Sequence, residues 1–392
     1  MFARSSSSAF RPLEADLVVV GSGPTHLVRA INAADDGQET LILESQARIG
    51  GAWAAVATFD DELHRYEVVP HHLSPYPDAY AMLEAAGLEL VPRHIHTWDH
   101  GRLSSGSKRW YKQNYPDSFP VGKADGGRLV LEDQWYAHQD WLDVSRRSEI
   151  EYYKGFHRDV NANLRYFADG VQALIDRLRD RIRESGCSLM TTTPVASVRL
   201  AGDGVELATP HHRVFAKRVL LGQHFSGELA VEGLPDEPRR TNHFYSLLVR
   251  VRLDHDQAVR YVNVKDDPGT DFGPMSYLQL TKSQVQVYRD EIYTYCIGGS
   301  FDVALDAREV ARELLRRMSR VGIVSGDYEI WDARWEHLEV AAQSGEFCAA
   351  VNEATDGRVE MSHVAAIGQE MSDHADAWAT ALGTPGGRGG SE

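Results

Sequence analysis

The sequence has few cysteines, no long apolar run and no excess of basic residues, and each shortage excludes a class of protein. Its three cysteines, Cys187, Cys296 and Cys348, are far apart and form no Cys-x-x-Cys pair. This argues against a disulfide framework and a zinc ribbon, and it favours a reducing cytoplasm. No apolar run approaches the roughly 20 residues that span a bilayer, so we expect no membrane span. The formal net charge of −16 disfavours nucleic acid and anionic membranes as partners.

The most informative stretch covers residues 16–53, where a strand, a glycine turn, a helix and a second strand follow one another. Residues 17–20 form a short β-branched run, and Gly21-Ser22-Gly23 follows at once. Glycine permits a tight turn and lets a pyrophosphate approach the backbone, while the N-terminus of the helix at 25–34 offers free N–H groups. Residues 41–43 form the second strand and Glu44 closes it, where an acidic residue accepts hydrogen bonds from a ribose diol. This pattern predicts a dinucleotide site.

The pattern departs from the dinucleotide fingerprint at one position, because His26 stands where a third glycine is usual. That glycine lets the helix pack closely on the strand. His26 must therefore push the helix outward or turn its ring toward solvent or ligand. The alternative interpretation is a glycine turn in a doubly wound fold that binds nothing.

A second glycine pair, in Arg48-Ile49-Gly50-Gly51, indicates which dinucleotide to expect. With it, the chain resembles the FAD-binding amine oxidase superfamily, which includes protoporphyrinogen-oxidase-like and UDP-galactopyranose-mutase-like enzymes. In those families an Arg-x-Gly-Gly turn after the ribose-binding acid passes along the flavin and its pyrophosphate. The resemblance implies FAD as the cofactor. It assigns cofactor contacts to Gly21, Gly23, Pro24, Thr25, His26, Glu44, Ser45, Arg48, Gly50, Gly51, Trp53, Val195, Gly368, Gln369 and Glu370.

The resemblance also implies the architecture, which is a Rossmann-like FAD-binding domain built from discontinuous segments and an α+β substrate domain with an antiparallel sheet. The FAD-binding segments are 14–90, 165–235 and 335–383, and the substrate segments are 91–164 and 236–334. Residues 1–13 and 384–392 are predicted to be a disordered lead and tail. Alternating apolar and polar residues over 241–300 independently predict an antiparallel sheet. In the resembled families the last segment runs as strand, Gly-Asp and helix, and here Gly368 and Gln369 are expected at that turn.

The candidate catalytic residues are three histidines, because histidine titrates near neutral pH. His71 and His72 follow a proline in a segment that the resemblance places near the flavin, and His224 follows a strand expected beside the cofactor. Either of the adjacent pair could instead be a loop hydrogen-bonding group. No cluster completes a four-ligand metal set, so no metal site is predicted. The candidate substrate residues are Arg109, Tyr277, Tyr293 and Tyr295. The alternatives are an exposed basic-aromatic hairpin around Arg109 and core or surface positions for the tyrosines.

The function predicted from these features is that of an FAD-dependent oxidoreductase of the amine oxidase or desaturase kind. Its substrate would be a small organic molecule that gives a hydride to flavin N5. One alternative is a non-redox flavoenzyme resembling UDP-galactopyranose mutase, for which Arg93, Arg109 and Arg250 are available. Another is a protein that kept the fold and lost normal FAD use, as His26 and Gln369 would indicate. A homodimer is possible under each of these.

Overall fold

The structure is a computed structural model, and the fold follows from the residues that it describes. These are residues 12–54, 56–58, 61–66, 73, 77–92, 96–99, 102–105, 123–125, 128–130, 165–235, 240–253, 261–265, 277–282, 292–299, 306–320, 327–363 and 367–384.

A sheet of eight strands forms the first layer of the described chain. Its strands are β1 (Leu13–Val20), β2 (Thr40–Leu43), β11 (Ser188–Met190), β12 (Ser197–Ala201), β13 (Gly204–Ala208), β14 (Arg213–Gly222), β15 (Glu228–Ala230) and β21 (Val359–Ser362). The order is β11-β2-β1-β14-β13-β12-β15, and β21 also pairs with β14. Strands β11, β2, β1, β14 and β21 are parallel, whereas β12, β13 and β14 form an antiparallel meander. The carboxyl ends of β1, β2, β14 and β21 therefore meet at one edge.

Helices cover both faces of this sheet. They are α1 (Pro24–Asp35), α2 (Pro77–Ala85), α3 (Gln172–Ser185), α5 (Gly345–Ala354), α6 (Ile367–Asp373) and α7 (Ala375–Leu382). Helix α4 (Ala307–Arg320) instead packs against the second sheet, which is described below. The apolar stripe of α3, which includes Leu174, Ile175 and Leu178, is completely buried with α1, α2 and α7 on one face. On the other face α5 packs in a second core with the meander.

A second, seven-stranded sheet is largely antiparallel. Its strands are β6 (His96–Asp99), β7 (Arg102–Ser105), β16 (Arg240–Leu253), β17 (Tyr261–Lys265), β18 (Tyr277–Lys282), β19 (Ile292–Gly299) and β20 (Tyr328–Ala342), in the order β20-β16-β19-β18-β17-β6-β7. Short pairs are formed by β3 (Val56–Thr58) with β4 (Asp61–Tyr66), β5 (Leu90–Pro92) with β10 (Arg165–Phe167), and β8 (Lys123–Asp125) with β9 (Arg128–Val130). The predicted α/β fold with a separate antiparallel sheet is confirmed.

Two predicted boundaries differ from the structure. The predicted return to the first domain at residue 335 falls inside β20, which pairs with β16 as far as Ala342. An alternating strand carries no local mark of where it changes domain, so the sequence could not show this. The first strand also starts at Leu13, one residue inside the predicted lead. Residues 1–11 and 385–392 lie outside the described residues.

Candidate functional site

The first glycine turn connects β1 to α1 at the carboxyl edge of the sheet. Gly21 has φ +94°, which a side chain would disfavour. Gly23 is the N-cap of α1 and Pro24 follows at the first helical position, where its missing N–H costs nothing. A Cβ added at Gly23 would meet nothing within 4 Å. The start of α1 therefore faces open space with the positive end of its dipole, which suits a phosphate group.

Glu44 ties this turn to the end of β2. The Glu44 residue is buried, with 4% of its surface exposed. One oxygen, Oε2, accepts hydrogen bonds from the Ser22 backbone N–H at 2.9 Å and from the Ser22 hydroxyl at 2.5 Å. The other, Oε1, accepts from the Gln46 backbone N–H at 2.7 Å and from the exposed Ser45 hydroxyl at 3.2 Å. The bond from Ser45 is the longest, so a ribose hydroxyl could replace it without disturbing Ser22.

The second glycine turn lies directly against the first. The Gly50 backbone N–H donates to the Ser22 carbonyl at 3.0 Å and lies 3.1 Å from the Ser22 hydroxyl. Gly50 has φ +113° and Gly51 has φ +57°. A Cβ on Gly51 would lie 3.5 Å from the Gly23 Cα atom. The structure thus brings the four predicted glycines into one cradle, with Ser22 as the shared hydrogen-bonding residue.

The ring of His26 occupies the space between the start of α1 and the neighbouring strand ends. Its Nε2 atom lies 3.1 Å from the Ser362 hydroxyl at the end of β21. A Cβ on Gly222, the last residue of β14, would lie 2.7 Å from its Cε1 atom. Desolvation lowers the pKa of His26 to about 4, and the positive field of Arg29 acts in the same direction. The ring therefore turns inward as a neutral group.

Polar residues continue along the same edge from β14 to β20. The Gln223 backbone N–H donates to the Ser362 carbonyl at 3.0 Å, and the Gln343 backbone N–H donates to the Gln223 carbonyl at 2.9 Å. The exposed His224 has its Nε2 atom 3.4 Å from the Gln223 side-chain nitrogen. It also contributes to the electrostatic field at His26. This places His224 near the glycine cradle, where the second sheet joins the first.

Several predicted site residues lie apart from this cradle or outside the described residues. His71, His72 and Arg109 fall in undescribed segments. Val195 is buried in the core beside the meander. Trp53 packs partly buried against the core formed with α1 and α3.

The C-terminal turn was predicted in the wrong place. The strand ends at Ser362 and the helix begins at Ile367, so Gly368 and Gln369 lie inside α6 instead of at a turn between strand and helix. The apolar run before Gly368 resembled a continuing strand, which local sequence could not distinguish from a helix. Glu370 lies in the same helix, where burial raises the pKa of its carboxyl group and His374 and Arg29 oppose the shift.

The three candidate substrate tyrosines lie on neighbouring strands of the second sheet. Tyr293 and Tyr295 lie on β19, and Tyr277 lies on β18, which pairs with β19. That these tyrosines line a substrate cavity stays a prediction.

Two absences in the described part of the chain bear on partners and metals. No helix in this part of the chain is long and apolar enough to cross a bilayer. No group of three or more His, Cys, Asp or Glu residues in it could hold a metal ion.

Comparison with known proteins gives the fold a wider context. Residues 19–86 match the model of an NAD(P)-binding Rossmann-like domain. The chain is similar to an oxidoreductase from Methanosarcina mazei, with 14% identity, coverage of 90% of this chain and 95% of that one, and a TM-score of 0.57. It is also similar to wild-type putrescine oxidase bound to putrescine, with 14% identity, coverage of 90% of this chain and 94% of that one, and a TM-score of 0.56. RAB GDI from Plasmodium falciparum is similar with 10% identity, coverage of 93% of this chain and 96% of that one, and a TM-score of 0.53. None of the curated proteins matches this sequence.

Proposed function

We propose that this chain, whose fold is that of the FAD-binding amine oxidase-like superfamily, is a flavin-dependent oxidoreductase acting on a small organic substrate. The observation that carries the proposal is the double-glycine cradle. Ser22 joins its two turns, Glu44 fixes Ser22, and the space above Gly23 is open. The open space at this helix N-terminus leaves room for a pyrophosphate against the backbone.

The residues of the cradle suit the parts of FAD in a definite order. The N-terminus of α1 and the backbone at Gly23 would hold the pyrophosphate, and Glu44 with Ser45 would hold the adenosine ribose. Bound FAD would supply the redox chemistry by accepting a hydride from the substrate. Gly50 and Gly51 would keep the second turn close to the cofactor because neither carries a side chain.

For the proton that leaves the substrate, His224 is our candidate acceptor. It is exposed at the carboxyl edge of the sheet, and the Gln223 side chain beside its Nε2 atom orients the ring. A His224→Ala variant should keep the flavin spectrum of the native protein. Its rate of flavin reduction should fall and lose its dependence on pH near neutrality. An unchanged pH profile would assign proton transfer to another group.

The test of the proposal is the absorbance spectrum of the purified protein, before and after FAD is added and excess is removed. Flavin bands that remain with the protein support the proposal, and a protein that stays colourless overturns it. Small amines are the first substrates to screen by anaerobic bleaching, because putrescine oxidase shares the fold. Bleaching by an amine supports the oxidase or desaturase class over the mutase class.

A Gly23→Val variant makes this test specific to the cradle. Gly23 has φ −60° and ψ 155°, which valine adopts readily, and its added side chain would enter open space. We expect the melting temperature without ligand to stay the same. FAD binding should weaken at least about a hundredfold, because the pyrophosphate can no longer reach the backbone. Equal FAD affinity in both proteins would place the cofactor elsewhere.

A second candidate is a protein that has kept the fold without using FAD. Two observations favour it: His26 stands at the third glycine position, and RAB GDI shares the fold with the oxidoreductases. Fold alone does not decide function. The spectrum described above separates the two candidates, since only the first retains FAD.

A further inference from the structure

The His26 ring lies in a recess that exists because two neighbouring residues are glycines. A Cβ on Gly222 would lie 2.7 Å from Cε1 and 3.3 Å from Nε2 of the ring, and one on Gly21 would lie 3.4 Å from Nδ1. Contacts below 3.0 Å do not occur for real Cβ atoms, so no larger residue fits at position 222 while the ring stays in place. The third glycine of the fingerprint has thus been exchanged for a histidine opposite a glycine on the adjacent strand.

The ring in this recess is also hydrogen-bonded. Its Nε2 atom lies 3.1 Å from the Ser362 hydroxyl, which in turn lies 3.3 Å from the Leu221 carbonyl. If Nε2 carries the proton, it donates to Ser362, which donates to Leu221. If Nε2 is unprotonated, the Ser362 hydroxyl donates to it instead. The bond between the first turn of α1 and the end of β21 therefore persists in either neutral tautomer.

We propose that His26 is a positioning residue of the dinucleotide site. Its ring replaces the close helix–strand packing of the usual fingerprint with a hydrogen-bonded bridge from α1 to Ser362. This inference rests on the proposed function, because it assigns the ring a purpose in holding the cofactor. The bridge fixes the backbone N–H groups of Thr25 and His26 relative to the sheet. These are the groups that the helix leaves without an intrahelical acceptor and that a pyrophosphate would use.

The experiment measures FAD affinity by flavin fluorescence, together with the melting temperature of the ligand-free protein. His26→Gly and Ser362→Ala should each weaken FAD binding about fivefold, the loss expected for one neutral hydrogen bond. His26→Gln, whose amide can reach Ser362, should recover most of the affinity. Gly222→Ala should lower the melting temperature in the native background and have little effect beside His26→Gly, because the clash needs the ring.

A destabilised control separates positioning from general stability. Val205→Ala removes buried volume in the meander core, away from the cradle. It should lower the melting temperature and leave FAD affinity unchanged. If affinity instead follows melting temperature across all the variants, the role of His26 is structural only and the inference is overturned.

The remaining outcomes distinguish this inference from the function on which it rests. If the native protein binds FAD and Ser362→Ala and His26→Gly bind it equally well, the bridge has no positioning role and the proposed function stands. If the native protein binds no FAD, both are overturned. If His26→Gly fails to fold, the FAD affinity of Ser362→Ala alone decides whether the bridge positions the cofactor site, because this variant removes one oxygen and leaves the ring in its recess.

Discussion

Acidification should destabilise this protein through His26. The pKa of an unfolded histidine is 6.5, and burial lowers that of His26 to about 4. Between these values the unfolded chain binds a proton that the native chain does not bind. The free energy of unfolding therefore falls as the pH drops from above 6.5 toward 4.

The magnitude follows from the two pKa values. Going from pH 7.5 to pH 5 should remove about 2 kcal/mol, and the full difference below pH 4 is about 3 kcal/mol. Desolvation sets the direction of the pKa shift, and a hydrogen bond to the Gly21 backbone opposes it. Arg29 and His224 disfavour the imidazolium ion, whereas Glu360 favours it without offsetting desolvation. Because other histidines and carboxylates titrate in the same range, the prediction concerns the difference between native protein and His26→Gln, which cannot titrate at this position.

The assay is urea unfolding of both proteins at pH 7.5, 6 and 5. The native protein should lose about 2 kcal/mol more than His26→Gln across this range. An NMR titration of the His26 Cε1 proton checks the cause directly, with an expected midpoint near 4. Parallel pH profiles for the two proteins, or a midpoint near 6.5, would refute the partly buried, neutral ring.

Three further substitutions test the cradle and its surroundings. Gly50→Ala should lower the free energy of unfolding in urea by about 2–3 kcal/mol, because Gly50 has φ +113° and its added Cβ would lie 3.2 Å from the Ala54 nitrogen. The matched control is Gly37→Ala, which should cost only about 1 kcal/mol because Gly37 has φ +82° but open space around it. Glu44→Gln should lower the free energy of unfolding by about 1–2 kcal/mol and weaken FAD binding, since an amide satisfies fewer of the donors around it. Glu360→Gln should cost under about 1 kcal/mol, and added salt should shrink the difference, because its ion pair is more than one-third exposed.

Local sequence was sufficient to predict the cradle because each part has a short-range cause. The β-branched run before Gly21 favours a buried strand, the glycines mark turns, and Glu44 ends the next strand. Gly222 and Ser362, which accommodate His26, were missed. They lie 196 and 336 positions further along the chain, and neither belongs to a motif. A histidine in a helix does not show which distant strand end will face it, so this contact follows only from the pairing of β14 with β1 and β21.

The second sheet shows a different limit. Alternation predicted strands at Tyr277, Tyr293 and Tyr295, and the structure has strands at all three positions. Alternation defines two faces, but it does not say which face a helix will cover. The amphipathic α4 packs against β16 and β20, which is a contact between elements that the alternation within one strand does not encode.

The surroundings of His26 bear on whether the altered fingerprint reflects decay or adaptation. A histidine placed at a fingerprint glycine without matching changes elsewhere would clash with its neighbours or leave its ring nitrogens without hydrogen-bonding partners. Here the ring has a glycine at position 222 beside it and a hydroxyl at Ser362 at 3.1 Å, and Gly21, Gly50 and Gly51 keep φ values that favour glycine. Gly222 and Ser362, which are far from His26 in the sequence, thus both fit its ring, and such consistency is expected where the local structure is still required. This agreement indicates that the local structure around His26 is maintained, and the comparison of FAD affinity with melting temperature tells a cofactor-positioning role of the ring from a stabilising one.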